Sequence, residues 1–212
     1  QVRNYASSAL LPAVRDDYMS RPDTVIFTGS GYESNGVFLL LDIASQIKGL
    51  HSEVRFLVAD RFAEVALRNQ FMARVAAAKL ESHVQLFANV MPQELMEKLN
   101  LATIAIAPTL RLPRHEMAIP TKLFEYMAAG LPIVMSDLPF SRELIHKHEL
   151  GILARPEEPD SFVKAILRLV GNRELARRMG QAGQRAFLEE YCWERQLPRL
   201  MEALAMAGPF VA

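Results

Sequence analysis

Only one cysteine, Cys192, occurs in the 212-residue chain. An internal disulfide is therefore excluded, and the usage fits a reducing compartment. Excess charge is also missing, since 24 basic residues balance 24 acidic ones. With no net field, the chain lacks the electrostatic footprint of a nucleic-acid binder or of a protein drawn to acidic membranes. No apolar run approaches the ~20 residues that span a bilayer. The opening Gln1-Val2-Arg3-Asn4 has neither an initiator methionine nor the apolar segment of a signal peptide. On these grounds the chain reads as a processed or excised piece of a longer protein. Metal ligands are scarce as well: His146 and His148 stand two apart, unsuited to one helix face, and no cysteine or carboxylate cluster joins them. There is no Gly-x-Ser-x-Gly elbow, no Walker loop, no internal repeat and no low-complexity tract.

What is present is a chain that is 50% hydrophobic and 23% charged, the balance of ordinary globular proteins. Its length suffices for one substantial core. Strand and helix patterns alternate. Buried-strand runs are predicted at 24–28, 54–59, 84–87, 103–107, 133–135 and 151–154. Helical spacing predicts helices at 36–47, 63–79, 92–99, 120–130 and 161–170. Another helical turn or two falls at 141–147, a long helix runs from a cap at Asn172 to about 190, and a last helix covers 195–207. Residues 108–119, with two prolines and two arginines, are read as an irregular loop long enough to have a role. Short strands joined by crossover helices imply an α/β fold, a Rossmann-like, open, six-stranded parallel sheet flanked by helices. Residues 1–22 read as a lead-in, 23–191 as the binding domain and 192–212 as a terminal helix.

In such sheets ligands bind beyond the carboxyl ends of the strands. After the first strand lies Gly29-Ser30-Gly31-Tyr32-Glu33-Ser34-Asn35-Gly36. It approaches the dinucleotide fingerprint G-x-G-x-x-G, but Ser34 holds the third glycine position. Asp60 ends the second strand, farther along than a ribose-binding acid usually stands. The richest stretch is 120–137, PTKLFEYMAAGLPIVMSD. Pro120 suits a helix start, Gly130 a helix stop, and Leu123, Phe124, Met127 and Ala128 recur at helical spacing. A helix start after a long loop is a ready anion site. Glu125, one turn in, is placed to accept hydrogen bonds from a ligand hydroxyl.

The string P-x-K-x-x-E-Y-M-A-x-G-x-P resembles the signature of the C-terminal, donor-binding domain of retaining glycosyltransferases with the two-domain GT-B fold, family 4. That resemblance implies a donor domain that binds a nucleotide diphosphate sugar as substrate, without cofactor or metal. Glu125 would hold the ribose hydroxyls. The family's G-R-L-x-x-x-K-G loop matches here at Gly29 and Gly36, but its diphosphate-binding arginine and lysine are Ser30 and Asn35. Lys122, with the N–H groups of Thr121 and Lys122, is the candidate substitute and would stabilise the departing phosphate. The family's first glutamate, separated from Glu125 by seven residues, falls on Met117; Glu116, one residue away, either takes that role near the reacting carbon or is exposed loop. Asn89 and Val90 occupy the segment that holds the base. Val2-Arg3-Asn4-Tyr5 and Tyr191-Cys192-Trp193 resemble the segments that cross to and from an N-terminal acceptor domain. The resemblance thus covers the chain as the second half of a larger enzyme. It implies transfer of a sugar to a glycan or lipid-linked acceptor in the cytoplasm, with any peripheral contact at the inner membrane face made through the absent domain. A nucleotide-sugar epimerase of the same architecture and a non-catalytic Rossmann-like interaction domain remain open.

Overall fold

The computed structural model describes residues 5–10, 17–88 and 92–207. Six strands form one sheet: β1 (Thr24–Phe27), β2 (Arg55–Asp60), β3 (Val84–Ala88), β4 (Ile104–Ala107), β5 (Ile133–Ser136) and β6 (Gly151–Ala154). All pairings are parallel and the order is β3-β2-β1-β4-β5-β6. Every residue of β1, β4 and β5 is buried, as the continuous apolar runs require when helices cover both faces.

The crossovers are helical. They comprise α1 (Val37–Leu50), α2 (Val65–Ala77), α3 (Pro92–Leu99), α4 (Pro113–Glu116), α5 (Lys122–Ala128), α6 (Pro139–His148) and α7 (Pro159–Val170). Then come α8 (Arg173–Ala186), a π-helical turn (Phe187–Tyr191) and α9 (Trp193–Ala207). On α1 the side chains of Leu40, Ile43 and Ile47 are fully buried, on α7 those of Phe162, Ile166 and Leu169, so both helices bury apolar stripes on the sheet. Asn172 caps α8, its side-chain oxygen accepting from the Leu175 N–H at 2.9 Å.

Two departures from expectation have local causes. The stretch read as wholly irregular contains the one-turn helix α4, which Pro113 starts from an extended Leu112. Helix α2 stops at Ala77 rather than running to Lys79, because Lys79 adopts a positive φ of 53°. Within the stretch read as a lead-in, Tyr18 is buried and donates its hydroxyl to the Thr103 carbonyl at 2.6 Å. Near the C-terminus the Trp193 N–H donates to the Ala6 carbonyl at 2.9 Å, so the two ends of the chain run together. Tyr5 and Tyr191 both pack on Phe124 of α5, with ring centroids 4.5 Å and 5.5 Å away. The motif helix therefore packs directly against the segments that carry Tyr5 and Tyr191.

Candidate functional site

The strand order reverses between β1 and β4, and a crevice at such a switch point, outside the carboxyl ends of the strands, is where open α/β sheets take ligands. Three segments meet there: the loop after β1, the residues after β2 and the start of α5. They enclose a cavity of about 200 Å³. Thr28, Gly29, Ser30 and Asn35 line it from the first segment, Arg61 from the second, and Thr121, Lys122 and Glu125 from the third.

The β1 loop is held from three sides. The buried Tyr126 hydroxyl accepts from the Thr28 N–H at 2.9 Å and from the Thr28 hydroxyl at 3.1 Å, and faces the Ile106 carbonyl at 3.4 Å. Burial pushes the Tyr126 phenol well above its ordinary range, so it stays a donor. At the far end of the loop Gly36 has a φ of 81°, and a β-carbon there would lie 1.8 Å from the Pro108 carbonyl oxygen. Only glycine fits that conformation and that approach. Asn35 stays within the loop, its amide donating to the Ser30 carbonyl at 2.9 Å.

Lys122 is 9% exposed, and its ammonium lies 5.0 Å from the Phe27 ring centroid. Burial lowers its pKa to about 8, against the opposing pull of the Glu125 charge. No carboxylate of the described residues forms an ion pair with it. Half-buried Glu125 moves the other way: burial raises its pKa, while Arg61, Lys122 and the neighbouring Thr28 oppose the rise. In the first turn of α5 the Leu123 and Phe124 N–H groups are taken by the Pro120 and Thr121 carbonyls. The N–H groups of Thr121 and Lys122, one step earlier, have no backbone acceptor among the described residues.

A second hollow of about 230 Å³ adjoins the first, sharing Asn35, Pro120 and Lys122. Lys122 therefore stands in the wall between the two. His115, Thr109 and Ser136 line this hollow, with His115 Nδ1 2.9 Å from the Leu110 carbonyl. A larger cleft of about 960 Å³ opens between α6 and α8 on a floor of Ile145, Leu175 and Met179. It lies beside Gly151, at the amino end of edge strand β6, away from the end of the sheet that binds ligands.

The structure thus brings Gly29, Ser30, Asn35, Thr121, Lys122 and Glu125 together. Gly36 stands just behind them as the hinge of the loop. Glu116 is exposed on α4 and lines neither hollow. Asn89 and Val90 lie outside the described residues. Asp60 is engaged by Arg68, whose Nε lies 3.0 and 2.8 Å from its two carboxylate oxygens, and is absent from the cavity lining. The acid that a nicotinamide site would offer to a ribose is therefore already paired. Sequence reasoning missed Arg61, one residue beyond Asp60, and the part played by Tyr126. Only the position of Arg61 just past a strand end could have drawn attention to it.

The helices of the described residues include none long and apolar enough to cross a membrane. Of the solved structures with this fold, Anabaena HepE in complex with UDP-glucose superposes with a TM-score of 0.81 at 14% identity, covering 97% of this chain and 57% of HepE. Sucrose-phosphate synthase from Thermosynechococcus elongatus gives 0.80 at 18% identity, covering 98% of this chain and 53% of the synthase. The fold is that of the GT-B glycosyltransferases. In sequence, the chain is 28% identical over 189 residues to a phosphatidyl-myo-inositol mannosyltransferase of Mycobacterium leprae, covering 87% of this chain and 48% of that protein. The Mycobacterium tuberculosis protein of the same name is 26% identical over 215 residues, covering 98% of this chain and 53% of that protein. The chain spans about half the length of these curated relatives. The family described as glycosyl transferases group 1 matches residues 18–186, most of the sheet and its helices, and the chain belongs to that family.

Proposed function

We propose that this domain binds the nucleoside diphosphate end of a sugar donor for a retaining glycosyltransferase. The observation that carries the reading is the joint placement of Lys122 and Glu125 in one cavity at the sheet's switch point. A buried, unpaired ammonium is costly unless an anion visits it, and a half-buried carboxylate lacks hydroxyl donors unless a ligand brings them. A diphosphate and a ribose supply both. HepE has been solved with UDP-glucose and with UDP, which supports a ligand of this class for the same fold.

In this reading Glu125 accepts hydrogen bonds from the ribose hydroxyls and fixes the donor along α5. Lys122 and the N–H groups of Thr121 and Lys122 face the diphosphate. An acceptor hydroxyl attacks the anomeric carbon from the face on which the diphosphate departs. The bond from that carbon to the phosphate oxygen breaks, the bond to the acceptor oxygen forms, and the acceptor proton passes to the leaving phosphate. Negative charge grows on the phosphate as this happens, so fixed positive groups there lower the barrier. Neither a protein nucleophile nor a metal is needed for these steps.

The acceptor half of the cleft belongs, in this proposal, to a further domain of a longer chain. The exposed Leu197 and Met201 on α9 support a packing surface for it near the ends that Tyr5 and Tyr191 mark. The test is a thermal-shift and calorimetry panel of UDP, GDP, TDP, ADP and NAD on the 212-residue chain. Stabilisation by one nucleoside diphosphate and none by NAD is expected. No shift from any of the diphosphates overturns the reading.

A further inference from the structure

Resting on that reading, the cavity has a cation that no motif of the sequence announces. We infer that Arg61 is the second positive arm of the diphosphate site, reaching the anion from the β2 loop while Lys122 reaches it from α5.

Three observations converge on it. The first is position: Arg61 lines the same cavity as Gly29, Ser30, Lys122 and Glu125, entering from the β2 loop rather than the β1 loop. Its backbone is braced against the glycine loop, since the Gly31 N–H donates to the Arg61 carbonyl at 3.1 Å and the Arg61 N–H donates to Ala59 at 2.9 Å. The root of the side chain is thereby fixed, and the residue is exposed at the cavity rim.

The second is an uncompensated charge. The carboxylate next to Arg61 in sequence, Asp60, is held by Arg68 at 2.8 Å in a bidentate pair. Arg61 is left with no ion-pair partner among the described residues and acts on Glu125 only through its field.

The third is the charge balance of the cavity itself. Ser30 and Asn35 are neutral, and the Asn35 amide is already donated to Ser30. The charged groups lining the cavity are Lys122, Arg61 and the single carboxylate of Glu125. Two cations against one carboxylate leave the site with excess positive charge, complementary to an anionic ligand. A guanidinium is also the group best shaped to take two phosphate oxygens at once. A lone phosphate could be served by Lys122; two linked phosphates offer an anion to each cation.

The test compares the wild-type chain with Arg61→Gln and Arg61→Lys by calorimetry, using UDP, GDP, TDP and ADP together with the matching nucleosides. Arg61→Gln is expected to weaken the tightest-binding diphosphate by about tenfold to a hundredfold, the range of a lost charge-assisted contact, and to leave its nucleoside unchanged. Arg61→Lys should recover part of the loss, and the diphosphate affinity of Arg61→Gln should depend less on ionic strength. Because Arg61 is exposed, thermal unfolding should be the same in all three proteins. Equal diphosphate affinity in wild type and Arg61→Gln overturns the assignment, as does an equal loss for diphosphate and nucleoside, which would place Arg61 on the base or ribose. If the wild type itself binds none of the four diphosphates, it is the function reading that falls.

Discussion

The ammonium of Lys122 lies where a β-carbon on residue 29 would come within 2.9 Å of it. Gly29 is thus a notch in the β1 loop, and the lysine of the α5 motif reaches the cavity through it. The two residues stand far apart in the chain and act as one device.

Gly29→Ala follows directly from that geometry. The added carbon would also lie 2.5 Å from the Phe27 ring, which is fully packed in the core and cannot move without strain. Destabilisation of about 1–3 kcal/mol is expected, the usual range for one methyl forced into a filled space. Lys122, the more flexible neighbour, should be displaced as well, so diphosphate affinity should fall even at temperatures where the variant is fully folded. Thermal unfolding and calorimetry on the same sample check both effects; undiminished affinity would show that Lys122 does not need the notch.

Much of this arrangement could be read before the structure. Strands β1, β4 and β5 are short apolar runs buried along their whole length, and a parallel sheet covered on both faces is what such runs imply. The motif residues Lys122 and Glu125 were legible because one short helix fixes their spacing. The start of that helix was less so: it begins at Lys122 rather than Pro120, since Thr121 already holds helical dihedrals without being counted in the helix. Arg61 left no trace, because a single arginine after a strand has no period and no partner spacing. Asp60 drew attention in its place, and only the fold shows Arg68 turning back from α2 to occupy it. Tyr126 reads as one more apolar helix residue, while its hydroxyl serves Thr28, 98 positions earlier.

That hydroxyl yields a second prediction. Tyr126→Phe removes the acceptor of the buried Thr28 N–H without leaving a cavity. An orphaned buried donor costs about 1–3 kcal/mol, so chemical denaturation should register a loss of that size. Thr28 also faces Glu125, so nucleotide affinity should fall in step. A variant as stable as wild type would mean that water or another group had replaced the phenol.

The two candidate glutamates separate cleanly. Glu125 lies in the cavity, whereas Glu116 is exposed on α4 outside it. Glu125→Gln should lower affinity for the preferred nucleoside diphosphate by about tenfold or more, the range for hydrogen bonds to a charged acceptor. Glu116→Gln should change it by less than twofold. Equal affinities for the two variants would remove Glu125 from the ribose.

Titration of Lys122 supplies the last prediction. Its pKa is lowered to about 8 in the folded chain from the ordinary 10.5, so the unfolded chain binds the proton more tightly. Stability linked to this group therefore rises as pH climbs from about 8 toward 10.5, and is least below that window. Ligand affinity has the opposite sign. A diphosphate prefers the charged ammonium and raises its pKa, so binding should be tightest below pH 8 and should weaken as the free lysine deprotonates above it. The ligand does not mimic this, because its terminal phosphate, with a second pKa of about 6, is already ionised. Calorimetry at pH 8.5 in two buffers of different ionisation enthalpy should reveal proton uptake on binding. Lys122→Met should abolish both the uptake and the pH dependence between pH 7.5 and 9.5, because methionine fills the channel without a charge. If the variant keeps the wild-type profile, another group titrates there and Lys122 does not meet the diphosphate.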